Sequence, residues 1–196
     1  DHNTAVGRCA LITLSTGSNN TAIGDRSLRN NTGGENTSVG AFSLEANVGG
    51  ECNTAVGRTS LCGNTTGGCN TAVGFQSLKA NTTASTNTAV GVEAMVSTTT
   101  GFGTAVGYGA MKANTTSSGN TAMGYQAMCS VTTGGNNTAF GLEALKSVVT
   151  GTNNVAVGRD ALELNTGSHN TAVGYLALGV NTSGSSNVAV GCGALL

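Results

Sequence analysis

Few residues in this 196-residue chain have types that could carry covalent or acid–base chemistry: six cysteines, two histidines and nine carboxylates. The histidines, His2 and His169, sit at opposite ends of the chain, so no His pair or nucleophile–base–orienter triad can assemble. Three Asp in total exclude a calcium loop in every repeat. No Cys-x-x-Cys pair occurs, which removes the usual zinc spacing. The 31 Gly punctuate turns and show no strand–GxGxxG–helix or P-loop context. No catalytic residue, cofactor or metal site is therefore expected, and the chain reads as a non-enzyme. One modification motif is frequent: Asn-x-Ser/Thr sequons at Asn19, Asn30, Asn36, Asn64, Asn81, Asn114, Asn136 and Asn181 are candidate N-glycosylation sites.

Composition narrows the partners. The net charge is −1 and only 9% of residues are charged, against about 25% in an ordinary soluble domain. Such a chain lacks the basic footprint of a nucleic-acid binder. No run of about 18 apolar residues exists, so no membrane insertion is expected.

What must position these residues is a repeat. The pentad Asn-Thr-Ala-Val-Gly, or a near variant, starts twelve times, first at Asn3 and last at Asn187. Successive starts are seventeen positions apart eight times, as from Asn3 to Asn20, and sixteen apart three times, as from Asn20 to Asn36. The consensus is N-T-A-V-G-x-x-A-L-x-x-N-T-T-G-x-x, numbered from its first Asn. Position 5 is Gly throughout, positions 3 and 8 are Ala or Ser, and position 9 is Leu or Met. The three short units start at Asn20, Asn87 and Asn154, four units from one to the next, and the step from Cys62 to Cys129 equals theirs. A duplicated four-coil block accounts for both. Residues 1–196 thus form a single array. Both ends fall inside a repeat without a polar cap, so the array is expected to be an excerpt of a longer solenoid or a unit that stacks on its own copies.

A unit of sixteen or seventeen residues is too short for a helix pair and suits one coil of an all-β fold, a parallel β-solenoid (β-roll or β-helix) of about twelve coils. Equivalent residues would then stack at about 4.8 Å. N-T-A-V is the strand, ended by Gly, and the T-T-G stretch is loop. The Ala-Leu pair at positions 8 and 9 belongs either to a second strand or to one helical turn, since helix formers such as Glu143-Ala144-Leu145-Lys146 crowd there. Positions 4 and 9, always large and apolar, are expected to fill the interior, and the Thr column at position 2 to face inward beside position 4. Charges gather at positions 6, 7 and 10, the solvated corner. Phe75, Tyr108, Tyr125 and Tyr175 share position 6 as a partly exposed aromatic strip. Position 1 is Asn in eleven units: Asn3, Asn20, Asn36, Asn53, Asn70, Asn87, Asn120, Asn137, Asn154, Asn170 and Asn187. That column predicts a structural Asn ladder, each amide bonding the next and satisfying turn backbone.

Stacking also sorts the cysteines. Cys52 and Cys69 share position 17 in adjacent coils, within disulfide range, and Cys62 is a competing partner. Cys9, Cys129 and Cys192 are too far apart along a straight rod to bridge within one chain, leaving buried free thiols or interchain bridges. Each coil offers few large apolar groups against the cost of ordering its whole backbone, and small residues at positions 3 and 8 let another backbone approach. A homo-oligomer is therefore expected, a homotrimer or an end-to-end filament.

The consensus N-T-A-V-G-x-x-A-L-x-x-N-T-T-G is similar to repeats of tail-fibre-like proteins of phages, large algal viruses and bacteria. More distantly it resembles the N-S-V-A-I-G repeat of trimeric autotransporter adhesin heads, from which it departs in its longer period and its added A-L-x-x-N-T. The resemblance implies a fibrous shaft that is extracellular or on a virion surface. The function expected first is a structural fibre segment; the alternative is an adhesin or glycan-binding rod. An ice-binding solenoid ranks third, because Thr alternates with Ala and is expected to face inward.

Overall fold

The computed structural model describes residues 2–196. Twelve short strands carry the pentads: β1 (Thr4–Val6), β2 (Thr21–Ile23), β3 (Thr37–Val39), β4 (Thr54–Val56), β5 (Thr71–Val73), β6 (Thr88–Val90), β7 (Gly103–Val106), β8 (Asn120–Met123), β9 (Thr138–Phe140), β10 (Val155–Val157), β11 (Thr171–Val173) and β12 (Val188–Val190). They form one sheet in sequence order, every pair parallel. Register is rung over rung: Thr54 lies opposite Thr71, Ala55 opposite Ala72 and Val56 opposite Val73. The chain is a parallel β-solenoid.

Gly at position 5 ends each strand for two reasons. Its φ lies between 127° and 144° in all twelve coils, where side chains are rare. The next coil also presses on it: a Cβ on Gly7 would sit 2.5 Å from the carbonyl oxygen of Gly24.

The segment after that glycine is neither the second strand nor the helical turn that its composition suggests. Position 7 adopts a left-handed φ of 51–61° in every coil, and position 9 one of 48–53°. The intervening position 8 is outside that region. This alternation turns the N–H groups of positions 7 and 9 toward neighbouring coils, while that of position 8 stays within the segment, as Ser43 N to Gly40 O at 3.3 Å; a helix would direct all of them along its own axis. Phe42 N donates down to Asp25 O at 2.9 Å, and Leu44 N donates up to Ser60 O at 3.1 Å. A left-handed conformation at a Leu or Met costs on the order of 1–2 kcal/mol per residue; the bonds between coils and complete burial of the side chain offset it.

The interior is narrow and is built from small groups. Ala22, Ala55, Ala72, Ala89 and their equivalents at position 3 in every coil after the first are buried, facing Leu28, Leu61, Leu78 and Met95 at position 9, while Ala5 in the end coil is exposed. Position 8 is also buried, as Ser27, Ser60, Ala94 or Ala144. The expectation that position 4 fills the core is overturned. Val6 is 56% exposed, and Ile23, Val56, Met123, Phe140, Val157 and Val173 also project into solvent. Alternation along a strand explains this: positions 1 and 3 share one face, and Asn at position 1 must point inward. Thr at position 2 and Val at position 4 are thereby sent outward together. The small residues at positions 3 and 8 therefore line each coil's own core, and no longer argue for close approach by another chain.

Three coils are one residue shorter than the rest, and the missing residue falls at one corner. In the coils starting at Asn20 and Asn154 the loss lies between positions 12 and 15, so Asn31 bonds the carbonyl of Gly33 two residues on, where Asn47 bonds Gly50 three residues on. In the coil starting at Asn87 the span from Asn87 to Gly101 is unshortened, and the loss follows it. Strand, glycine turn and left-handed segment are untouched in all three.

Candidate functional site

The Asn ladder exists and runs the length of the rod, but its bonds are mostly to backbone. Each position-1 amide accepts, through Oδ1, the backbone N–H of the next coil's first residue: Asn53 N to Asn36 Oδ1, Asn70 N to Asn53 Oδ1 and Asn87 N to Asn70 Oδ1, all 3.0 Å. Its Nδ2 donates within the same coil to the carbonyl at position 15, as from Asn53 to Gly67 at 2.8 Å and from Asn137 to Gly151 at 2.8 Å. Amide-to-amide bonds join only some rungs, such as Asn70 to Asn53 at 3.1 Å. At Gly103, which lacks the amide, the backbone compensates: β7 and β8 are each one residue longer and pair Gly103 with Asn120.

A second Asn column, at position 12, escapes the sequence reading. Asn31, Asn47, Asn64 and Asn81 are fully buried in successive coils. Asn47 Nδ2 donates to Asn31 Oδ1 at 2.6 Å, Asn64 to Asn47 at 2.7 Å and Asn81 to Asn64 at 2.8 Å. Each also donates to the position-15 carbonyl, so that one oxygen receives an amide from both columns: Gly50 from Asn36 and Asn47, Ala84 from Asn70 and Asn81. The signal lay in the consensus itself, where position 12 is Asn in seven of the eleven coils that reach it. The column changes to Thr98, and there Asn81 Oδ1 is buried without a partner. Val131 and Val148 take its place two and three coils further on.

The charged corner at positions 6, 7 and 10 is solvated as expected except at Asp160, which is buried beside Arg159, and its side chains pair mostly between adjacent coils. Arg8 grips Asp25 through two 3.0 Å bonds; the hydrogen bond holds the Asp25 carboxyl below the usual range and raises the Arg8 guanidinium. Lys112 lies 2.7 Å from Glu93 of the preceding coil, and Lys146 2.9 Å from Glu143 of its own. Each lysine is raised by its carboxylate's hydrogen bond. Tyr108 and Tyr125 stack with centroids 5.2 Å apart. Arg58 covers the Phe75 ring and Arg159 the Tyr175 ring at 5.9 and 5.6 Å. These aromatics form the exposed strip that their shared position predicts.

All six cysteines carry free thiols. Cys52 and Cys69 do occupy the same slot in adjacent coils, both exposed, but no bond joins them. Cys52 Sγ instead donates to Glu35 Oε2 at 3.2 Å. That bond, with burial and the charge of Glu35, pushes the Cys52 thiol up to about 11. Cys62 belongs to another file, at the charged corner, where its thiol approaches the Lys79 carbonyl at 3.8 Å and desolvation raises it. Cys9 and Cys129 are half-buried and Cys192 is exposed, so none is the buried thiol expected.

The sequons divide by direction. Asn36, Asn64, Asn81 and Asn114 are fully buried in the two columns and are closed to a glycan in the folded chain. Asn181 is half-buried, and Asn19, Asn30 and Asn136 are exposed. Among the described residues no cavity occurs, and no group of three or more His, Cys, Asp or Glu is placed to hold a metal ion. No helix among them is long and apolar enough to cross a membrane.

What the outside offers is therefore two surfaces on one rod: the paired, charged and aromatic corner, and the uncharged Thr/Val face of the sheet. Set against known proteins, the chain matches no family model, no curated protein and no solved structure.

Proposed function

We propose that this chain is a structural shaft segment, a non-enzymatic part of a filament on an extracellular or virion surface. The observation that carries the reading is that strands contact only their immediate neighbours in sequence. Successive strands keep one register from the first coil to the last, so length adds coil by coil. A rod built this way holds its ends apart at a distance fixed by repeat number. Immunogold electron microscopy with an antibody to the folded repeat, on particles and cells of the source, tests the reading. Label along surface filaments supports it; label confined to the cell interior overturns it.

A second reading, an adhesin or glycan-binding rod, draws on the exposed position-6 aromatics, whose ring faces suit sugar stacking. Glycan-array binding that is lost on Tyr108→Ala and Tyr125→Ala would favour it over the inert shaft. Self-association as a homotrimer or an end-to-end filament is a separate proposal, measured by sedimentation equilibrium.

A further inference from the structure

We propose that the outward Thr/Val face of the first seven coils binds ice. This role is independent of the shaft reading and rests on the direction that alternation gives positions 2 and 4. The objection raised by the sequence, that Thr points inward, does not hold: Thr21, Thr54, Thr71 and Thr88 are half-exposed on the same face as Val or Ile at position 4.

Four observations point to a water lattice as the ligand. First, the array is uniform. From Thr4/Val6 to Thr104/Val106, position 2 is always Thr and position 4 always Val or Ile, and the rungs stack residue on residue. All these side chains are β-branched and stiff at χ1, so their methyls and hydroxyls hold fixed places without further ordering. Second, the repeat is about 4.8 Å along the rod and about 6.8 Å between positions 2 and 4; both are close to oxygen repeats on a prism face of ice. Third, the position-2 hydroxyls are unspent. Thr at position 13 donates to the next coil, as Thr65 Oγ1 to Thr82 O at 2.9 Å and Thr166 Oγ1 to Thr182 O at 2.7 Å. None of the position-2 hydroxyls bonds within the chain among the described residues, and each is free to anchor a water. Fourth, positions 2 and 4 carry no charge in any coil, so the face imposes no hydration shell foreign to ice.

A second copy of the chain fits this face less well. Burial against it would take water from every position-2 hydroxyl, none of which has a partner within the chain among the described residues to replace that water. The ice face ends where Met123 and Phe140 replace Val at position 4 and break the common height.

The test measures thermal hysteresis and partition into a growing ice hemisphere for the purified chain, with circular dichroism to confirm folding. Hysteresis above an albumin baseline and enrichment in ice are expected. Thr71→Tyr, within the array, should cut both at least fivefold, and Val149→Tyr, at an exposed position outside the strands, should leave both unchanged. No ice effect from the folded chain overturns the proposal, and so does an effect that Thr71→Tyr leaves intact. A dimer that dissociates on Thr71→Tyr, with no ice activity in either protein, assigns the face to a second copy and equally overturns it.

Discussion

Asn137 and Asn70 occupy the same ladder position but should not be worth the same. In both coils, replacing the position-1 Asn by Ala removes the acceptor for the next coil's N–H: Asn154 N, 2.9 Å from Asn137 Oδ1, or Asn87 N, 3.0 Å from Asn70 Oδ1. The two coils differ at the position-15 carbonyl. Ala84 O accepts from Asn70 and also from Asn81, so Asn70→Ala leaves it one partner. Gly151 O accepts from Asn137 alone, because Val148 stands at position 12 of that coil. A buried polar group left without a partner costs about 1–3 kcal/mol. Asn70→Ala strands one such group and should destabilise by about 1–3 kcal/mol, whereas Asn137→Ala strands two and should cost about 2–6 kcal/mol. Urea unfolding followed by circular dichroism measures the pair, and hydrogen exchange at the amides of Asn87 and Asn154 reads the local opening directly. The shared-carbonyl account of the two columns is wrong if Asn70→Ala proves as costly as Asn137→Ala. It is equally wrong if both stay within the about 0.5 kcal/mol typical of an inconsequential surface change.

The same geometry sets four other expectations. Thr98→Asn should place an amide beside the unpartnered Asn81 Oδ1 and stabilise the chain by about 1 kcal/mol, seen as a raised urea midpoint. Leu61→Ala should cost about 2–5 kcal/mol by leaving a cavity, and Val73→Ala, on the outward face, less than about 1 kcal/mol; equal costs in urea titrations would return position 4 to the interior. Gly74→Ala combines a φ of 133° with collision against the Gly91 carbonyl, and should cost several kcal/mol or prevent folding, scored by soluble yield and far-ultraviolet dichroism. Alkylation of Cys52 should reach half its limiting rate near pH 11, falling toward the ordinary thiol range in Glu35→Gln. The raised value favours the neutral thiol in the folded chain, so its contribution is present at neutral pH and is lost as pH rises through about 11. Peptide mass spectrometry resolves that site from the other five.

The period, the strand at N-T-A-V, the stacking register and the burial of position 9 were all legible in the sequence, because each is a property of a repeat compared with itself. The orientation of the strand was legible too, but size was the wrong guide. Asn20, Asn53 and Asn70 must point inward to reach the position-15 carbonyl, and strict alternation then puts Ala inside and Val outside. A core one Ala and one Leu wide has no room for a second large side chain. The second column was hidden by composition: Asn followed by Thr and Gly reads as a turn, and only the depth of the coil shows that Asn47 and Asn64 are covered. The segment around Leu28 and Leu78 was the least legible. Its residues favour helices, yet the N–H groups at positions 7 and 9 are claimed by the coils below and above, and that demand selects a left-handed backbone no propensity scale would assign to Leu.

The corner between positions 12 and 17 works as an expansion joint. It has absorbed the loss of a residue in three coils, at two different places, while the sheet continued in register across each of them. Within the strand a single deletion would invert every side chain from inside to outside. Peptides grafted at this corner should therefore be carried at regular intervals down one edge, which makes the rod a measured scaffold on which spacing between displayed epitopes can be chosen in whole coils.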